Sequence, residues 1–181
     1  MLNFDSQPVL RGKLLELRPL RSQDYQGLYA VASDPLIWEQ HPVNNRHEEG
    51  VFRALFAESL ESGGALVAID VAGQQIIGSS RFYDFREQES QVEIGWTFLA
   101  RSYWGGIYNG EMKRLMMGHA FRFVDRVVFR IGVNNVRSQK AVEKIGGIRV
   151  GVSTDDGGRE SYEYQITEAV FVAGLGRDRS S

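Results

Sequence analysis

A strand, a glycine-rich loop and a long helix follow one another near the middle of the chain, and this succession restricts the fold more than any other feature. Gln91–Leu99 alternates in the manner of a strand, and residues 108–124 carry apolar side chains at helical spacing. Between them lies the pair Gly105 and Gly106. Small residues at a helix N-terminus let a phosphate approach unpaired backbone amides, so the succession predicts an anion-binding turn. Neither G-x-x-x-x-G-K-[ST] nor G-x-G-x-x-G is present, which argues against a nucleoside triphosphatase or a dinucleotide-binding protein.

The other segments place this turn within one α/β domain. Further strands are predicted at residues 14–20, 65–71, 75–85, 127–133, 148–152 and 161–167, and further helices at residues 24–32, 48–60 and 135–145. The three strands between residues 65 and 99 form an antiparallel meander. Since neither an internal repeat nor a linker is apparent, we expect a single domain over residues 10–168 and a flexible tail over residues 169–181.

Composition excludes several classes of site. The 181-residue chain contains no cysteine, which rules out disulfides, thiolate metal ligands and an acyl-thiol intermediate on the protein. Its three histidines are too scattered to predict a zinc site, so we expect no metal. No apolar run approaches the roughly 18 residues that span a membrane. This predicts a cytoplasmic protein with no membrane partner.

Positive charge is concentrated around the loop. Residues 101–149 contain ten Lys/Arg and three Asp/Glu, and the segments on either side are acidic. Arg101, Lys113 and Arg114 lie beside the glycine pair. A basic centre predicts binding of a polyanion, either a nucleic acid or a phosphorylated cofactor. Because no nucleic-acid recognition motif is present, we expect no nucleic-acid partner.

Four motifs occur in order between residues 14 and 167. Residues 15–20 read L-E-L-R-P-L, residues 93–95 read E-I-G, residues 103–105 read Y-W-G, and residues 135–146 match N-x-x-S-x-x-x-x-E-K-x-G. Together they resemble the Gcn5-related N-acetyltransferase (GNAT) superfamily, in particular its RimJ/RimL-like ribosomal-protein N-acetyltransferases. The resemblance implies an α/β (α+β) fold with a mixed, mostly antiparallel sheet flanked by helices. It also implies a splay between the fourth strand, Gln91–Leu99, and the fifth, and transfer of an acetyl group from acetyl-CoA to an amine.

The resemblance further implies a coenzyme A site built mainly from backbone. The fourth strand would pair with pantetheine, the glycine loop would hold the pyrophosphate, and Asn135 and Lys140 would face the cofactor. The implied cofactor-binding residues are Phe98, Leu99, Ala100, Trp104, Gly105, Gly106, Ile107, Tyr108, Asn109, Gly110, Asn135, Ser138 and Lys140. Ile107 and Asn109 stand where the family's [QR]-x-x-G-x-[GA] pattern has small residues. The neighbouring glycine pair compensates if main-chain amides make the cradle.

The resemblance makes Glu93 the candidate general base, because many family members place a glutamate at this position before the phosphate loop. It would remove a proton from the attacking amine, directly or through water. Alternation predicts that it lies on the face opposite Val92, Ile94 and Trp96. The competing interpretation is a structural glutamate bonded to neighbouring backbone.

Asn135 and Ser138 complete the implied catalytic set. Val142 occupies the position of a tyrosine that serves as the acid in many family members, so Ser138 becomes the candidate proton donor to the leaving thiolate. The competing interpretation is a helix serine bonded to a carbonyl one turn earlier.

The acceptor is the least defined part of the sequence. Trp38, His41, Arg81 and Tyr83 are candidate acceptor-binding residues, and the acidic N-terminal half favours a cationic acceptor. The acceptor amine belongs either to a protein N-terminus or to a small molecule, and the enzyme is a monomer or a homodimer. The altered loop and the missing tyrosine leave a non-catalytic acyl-CoA-binding or regulatory module as the alternative.

Overall fold

The strands of the described part of the chain form one sheet. The computed structural model describes the backbone of residues 4–178 and the side chains of residues 4–175. The strands are β1 (Leu10–Arg11), β2 (Leu15–Pro19), β3 (Ala65–Asp70), β4 (Ile76–Arg86), β5 (Gln91–Leu99), β6 (Arg126–Gly132), β7 (Ile148–Thr154) and β8 (Glu160–Thr167). The helices are α1 (Tyr25–Ala32), α2 (Glu49–Glu61), α3 (Ile107–Ala120), α4 (Val136–Lys144) and α5 (Glu168–Asp178).

The sheet is mixed and mostly antiparallel, which confirms the predicted fold class. Its strand order is β1-β2-β3-β4-β5-β6-β8-β7. Only β5 and β6 run parallel, because α3 carries the chain back between them. The predicted fourth and fifth strands correspond to β5 and β6, since the short β1 was not anticipated.

Apolar residues on the two faces of the sheet form separate cores. The larger core joins α3 to one face through Met112, Met116 and Met117, all of which are buried. The smaller core joins α1 and α2 to the other face and includes Phe52 and Phe98. Among residues 4–178, no helix is long and apolar enough to cross a membrane.

The C-terminal segment contains a helix. The sequence predicts a flexible tail over residues 169–181; α5 extends to Asp178, and residues 179–181 lie outside the described part of the chain. Val170 and Phe171 pack against the larger core, with the Phe171 ring 5.2 Å from that of Phe121. Burial of these two side chains stabilises a helix whose glycines lower its intrinsic propensity.

Candidate active site

The parallel strands β5 and β6 separate after only three paired residues. Their pairing ends at Glu93 and Val128, while β6 remains paired with β8 along its whole length. Beyond Glu93, the edge of β5 that faces β6 therefore has no strand partner. This confirms the predicted splay, and it leaves backbone amides and carbonyls available to an extended ligand.

The predicted pantetheine residues lie at the far end of this free edge. Phe98 and Leu99 are buried, one in each core, and Ala100 donates its amide to Ile77 O at 2.8 Å. The indole of Trp104 donates to Leu99 O at 2.9 Å, which fixes the loop to the end of β5.

The glycine loop requires glycine at both positions of its pair. Gly105 and Gly106 have φ values of 110° and 113°, which L side chains rarely adopt. The first bond of α3 runs from Gly110 N to Gly106 O at 2.7 Å. Within the described chain, the amides of residues 105–109 make no hydrogen bond. These amides form an anion-binding helix N-terminus.

The two departures from the family pattern fall in the first turn of α3. The Ile107 side chain is 68% exposed, so its bulk points away from the protein core. The amides of Ile107 and Asn109 remain available whatever their side chains are. The structure thus gives a physical reason why these two substitutions are compatible with a phosphate cradle.

Lys144 is a candidate phosphate-binding residue that sequence reasoning passed over. Its Nζ lies 3.3 Å from the point that a Cβ of Gly106 would occupy, although the two residues belong to different helices. Lys140, which was predicted to face the phosphates, is exposed. A lysine in the last turn of α4 was visible in the sequence, but its reach to the loop depends on how α4 packs.

Glu93 lies at the apex of the splay. Its side chain is buried, and Arg130 Nη1 donates a hydrogen bond to Glu93 Oε2. Arg130 also contacts Glu163 at 3.3 Å and Asp84 at 3.6 Å. Burial raises the pKa of the Glu93 carboxyl, and the charge of Arg130 opposes part of that rise. The partner of Glu93 is therefore a guanidinium and not neighbouring backbone.

A bulge in β5 overturns one predicted orientation. Arg81 pairs with Gly95 and Ser79 pairs with Phe98, so two residues of β5 oppose one residue of β4. At the bulge, Trp96 has a φ of 50°. Its ring contacts Arg81, at 4.3 Å, and Tyr83, at 4.9 Å between ring centroids.

Trp96 therefore lies on the same face as Glu93 and not on the opposite one. Simple alternation fails at this point because the extra residue shifts every later side chain by one position. Val92 and Ile94 precede the bulge and do lie on the opposite face, in the larger core.

Lys113 is a second residue whose position the sequence did not reveal. Its side chain is buried between α3 and the sheet. Its Nζ donates to Thr97 Oγ1 of β5 at 2.5 Å and lies 5.3 Å from the ring centroid of Phe129 on β6. Burial lowers the pKa of the Lys113 amine to about 7. Its spacing of four residues from the buried Met117 is the signal that indicated an inward-facing side chain.

Helix α4 presents Asn135 and Ser138 at its first turn. Asn135 is the N-cap, and its Oδ1 accepts a bond from Ser138 N at 3.2 Å. The Ser138 side chain is half-buried, and its Oγ makes no bond to a carbonyl within residues 4–178. This hydroxyl is therefore able to donate to a ligand. Val142 is buried in the larger core.

The predicted acceptor residues lie on the face that carries Glu93. The Trp38 ring centroid is 5.0 Å from that of Phe98, and the His41 ring packs edge-on against Trp38 at 5.8 Å. Arg81 is buried, whereas Tyr83 is 48% exposed. Burial lowers the pKa of His41 to about 4, so the imidazole is neutral at pH 7.

A separate groove of about 760 Å³ lies between α1 and the end of β5. Ala30, Val31, Gln75, Ala100 and Tyr103 contribute to its walls. The groove reaches the predicted pantetheine strand at Ala100, but it contains none of the three candidate catalytic residues. Among the side chains of residues 4–175, no three His, Asp or Glu groups converge as metal ligands.

Comparisons with known proteins agree with this geometry. A family model described as an acetyltransferase (GNAT) domain matches residues 15–148. A candidate acetyltransferase from T. thermophilus is 25% identical, with a TM-score of 0.76 and coverage of 98% of this chain and 99% of that one. A GCN5-related N-acetyltransferase from Brucella melitensis is 18% identical, with a TM-score of 0.77 and coverage of 94% and 85%. Mycobacterium smegmatis RimJ, solved in complex with CoA-disulfide, is 18% identical, with a TM-score of 0.65 and coverage of 90% and 87%. No functionally curated protein matches the sequence.

Proposed function

The chain belongs to the acetyltransferase (GNAT) domain family, and from that membership we propose that it transfers an acetyl group from acetyl-CoA to a primary amine. The observation that carries this proposal is the divergence of β5 from β6 beside a glycine loop with unpaired amides. We assign the protein to the RimJ-like branch, which the four ordered motifs support. The amine belongs to a protein N-terminus or a small molecule, and transfer takes place in the cytoplasm on a monomer or homodimer.

Backbone and lysine groups hold the cofactor in this proposal. The free edge of β5 pairs with pantetheine up to Ala100, and the amides of residues 105–109 bind the pyrophosphate together with Lys144. Asn135 caps α4 and so orients the first helical turn, which carries Ser138.

Three groups promote the transfer. Glu93 accepts a proton from the attacking amine, and the rise in its pKa caused by burial makes its carboxylate a stronger base. A backbone amide of the free β5 edge donates to the developing oxyanion. Ser138 donates to the departing thiolate. Transfer to the amine is direct in this proposal, with which the absence of cysteine agrees.

A second candidate function is acyl-CoA binding without catalysis. It is favoured by the bond that ties Glu93 to Arg130 and by Val142 at the usual tyrosine position. Both functions require coenzyme A binding, and they differ in whether an amine stimulates release of the thiol.

Replacing Lys144 with glutamine should weaken acetyl-CoA binding. Removing one exposed cation beside the pyrophosphate cradle is expected to raise the Kd about fivefold, or by about 1 kcal/mol. Isothermal calorimetry on the wild type and on K144Q measures this directly. Arg122→Gln, which makes the same charge change at the far end of α3, should leave the Kd unaltered.

The same titration tests the function itself. Absence of acetyl-CoA binding by the wild type would refute both candidate functions. Binding without amine-stimulated thiol release, over a panel of peptides and small amines, would favour the non-catalytic one. An equal loss in K144Q and R122Q would contradict the assignment of Lys144.

A further inference from the structure

Arg46 is a half-buried arginine between α1 and α2 with unusual surroundings. Its guanidinium lies over the Trp38 ring, 5.6 Å from the centroid. Nη1 lies 3.1 Å from His41 Nε2. Val43 N donates to His41 Nδ1 at 2.9 Å, which orients the imidazole beside Arg46. Because burial lowers the pKa of His41 to about 4, the ring is uncharged at pH 7 and does not neutralise Arg46.

No carboxylate among the described side chains, those of residues 4–175, forms an ion pair with Arg46. Two other arginines that influence it are paired: Arg81 with Glu58 at 2.9 Å, and Arg159 with Asp155 at 2.8 Å. Removing a cation from water without a counterion is costly, so buried charges are usually paired. An unpaired guanidinium in this position indicates that a ligand supplies the anion.

The local potential around Arg46 is positive. Burial lowers the pKa of Arg46 to about 10, with Arg81 and Arg159 adding repulsion and Glu58 alone adding attraction. Arg81 also retains a buried Nε without a hydrogen-bond partner. The N-terminal half of the chain has a net negative charge, but the surroundings of Arg46 are positive, because Glu58 is already paired with Arg81.

The cationic group lies on the acceptor side of the sheet. Trp38, beneath Arg46, contacts Phe98 of β5, and Arg81 contacts Trp96. Phe98 and Trp96 both lie on the face of the sheet that carries Glu93. The phosphate cradle, by contrast, is formed by residues 105–109 at the start of α3.

We propose that the acceptor amine carries a carboxylate, and that Arg46 binds this carboxylate within the positive field of Arg81 and Arg159. This inference rests on the proposed acetyltransferase function and names its substrate class. The carboxylate comes either from a free amino acid or from an acidic side chain near the N-terminus of a peptide. A planar guanidinium held by a ring and an imidazole is suited to bidentate carboxylate recognition.

Matched acceptors test the proposal through amine-dependent release of coenzyme A thiol. The first set compares L-amino acids with their carboxamides. The second set contains tripeptides that have Asp or Glu at position two, and each is compared with the tripeptide that has Asn or Gln there. We expect the carboxylate member of a pair to have the higher kcat/KM. In Arg46→Gln, KM for that member should rise about tenfold with little change in kcat, and Arg46→Lys should recover part of the loss. Arg53→Gln, an exposed arginine on α2, is the matched control and should behave as the wild type.

Each other outcome decides against the inference. If the neutral acceptors have an equal or higher kcat/KM, the inference is wrong. It is also wrong if the protein binds acetyl-CoA but acetylates none of the carboxylate-bearing acceptors. Neither result bears against the cofactor site. Weaker acetyl-CoA binding by R46Q would assign Arg46 to the cofactor. Failure of the wild type to bind acetyl-CoA would instead refute the proposed function.

Discussion

Glu93→Gln should lower kcat by about a hundredfold or more, the usual contribution of a general base, with no change in the Kd for acetyl-CoA. The substitution keeps the shape of the side chain but removes the group that accepts a proton. Arg130 retains Asp84 and Glu163 as counterions in the variant. The fold should therefore survive, and the melting temperature should change little.

The pH profile separates a base from a structural ion pair. Because burial raises the pKa of Glu93, wild-type kcat/KM should fall as the pH drops through that pKa and the carboxylate becomes protonated. This acidic limb should be missing in E93Q. Glu163→Gln is the matched control, since it removes another carboxylate from Arg130 without touching the proposed base. If the kcat of E93Q stays within threefold of the wild-type value across the pH range, Glu93 is not the base.

Lys113→Met should stabilise the protein by roughly 3 kcal/mol at pH 7. The Lys113 amine has an ordinary pKa of 10.5 and a folded-state pKa of about 7. Methionine is similar in volume and carries no charge to bury. The hydrogen bond to Thr97 is lost, but Thr97 keeps a partner in Ser80 Oγ at 2.8 Å. Chemical denaturation of the two proteins measures the difference in unfolding free energy.

The gain should depend on pH with a defined sign. Below pH 7 the amine is charged in both folded and unfolded protein, so the full cost of burying that charge applies to the wild type. Between pH 7 and 10.5 the unfolded chain binds a proton that the folded protein lacks, so wild-type stability rises with pH and the advantage of K113M shrinks. Lys13→Met, an exposed lysine, should show no such trend. A K113M protein that is less stable than the wild type at pH 7 would contradict the burial of a lysine charge.

The glycine loop and the splay show how far sequence patterns reach. Gly105 and Gly106 were recognisable because positive φ angles favour glycine, and the residues after them carry a helical pattern. The resemblance of four motifs to a known family predicted that the two parallel strands diverge, and the structure confirms this. Lys144 and Arg46 were equally visible as residues, yet nothing in their neighbourhood along the chain indicated what they approach. The face on which Trp96 lies was predicted incorrectly, and neither the inward orientation of Lys113 nor the helix α5 was anticipated.

The order of the elements from β2 to β8, the turn that cradles an anion and the absence of a cysteine nucleophile were determined by the sequence alone, because they depend on residue type and on neighbours a few positions away. The tertiary structure decided the rest. The bulge at Trp96 depends on pairing with β4, the burial of Lys113 depends on packing between α3 and two strands, and α5 depends on a docking surface made by α3. The missing counterion of Arg46 is likewise a property of three-dimensional neighbours, since charge counted along a chain does not show which charges are already paired.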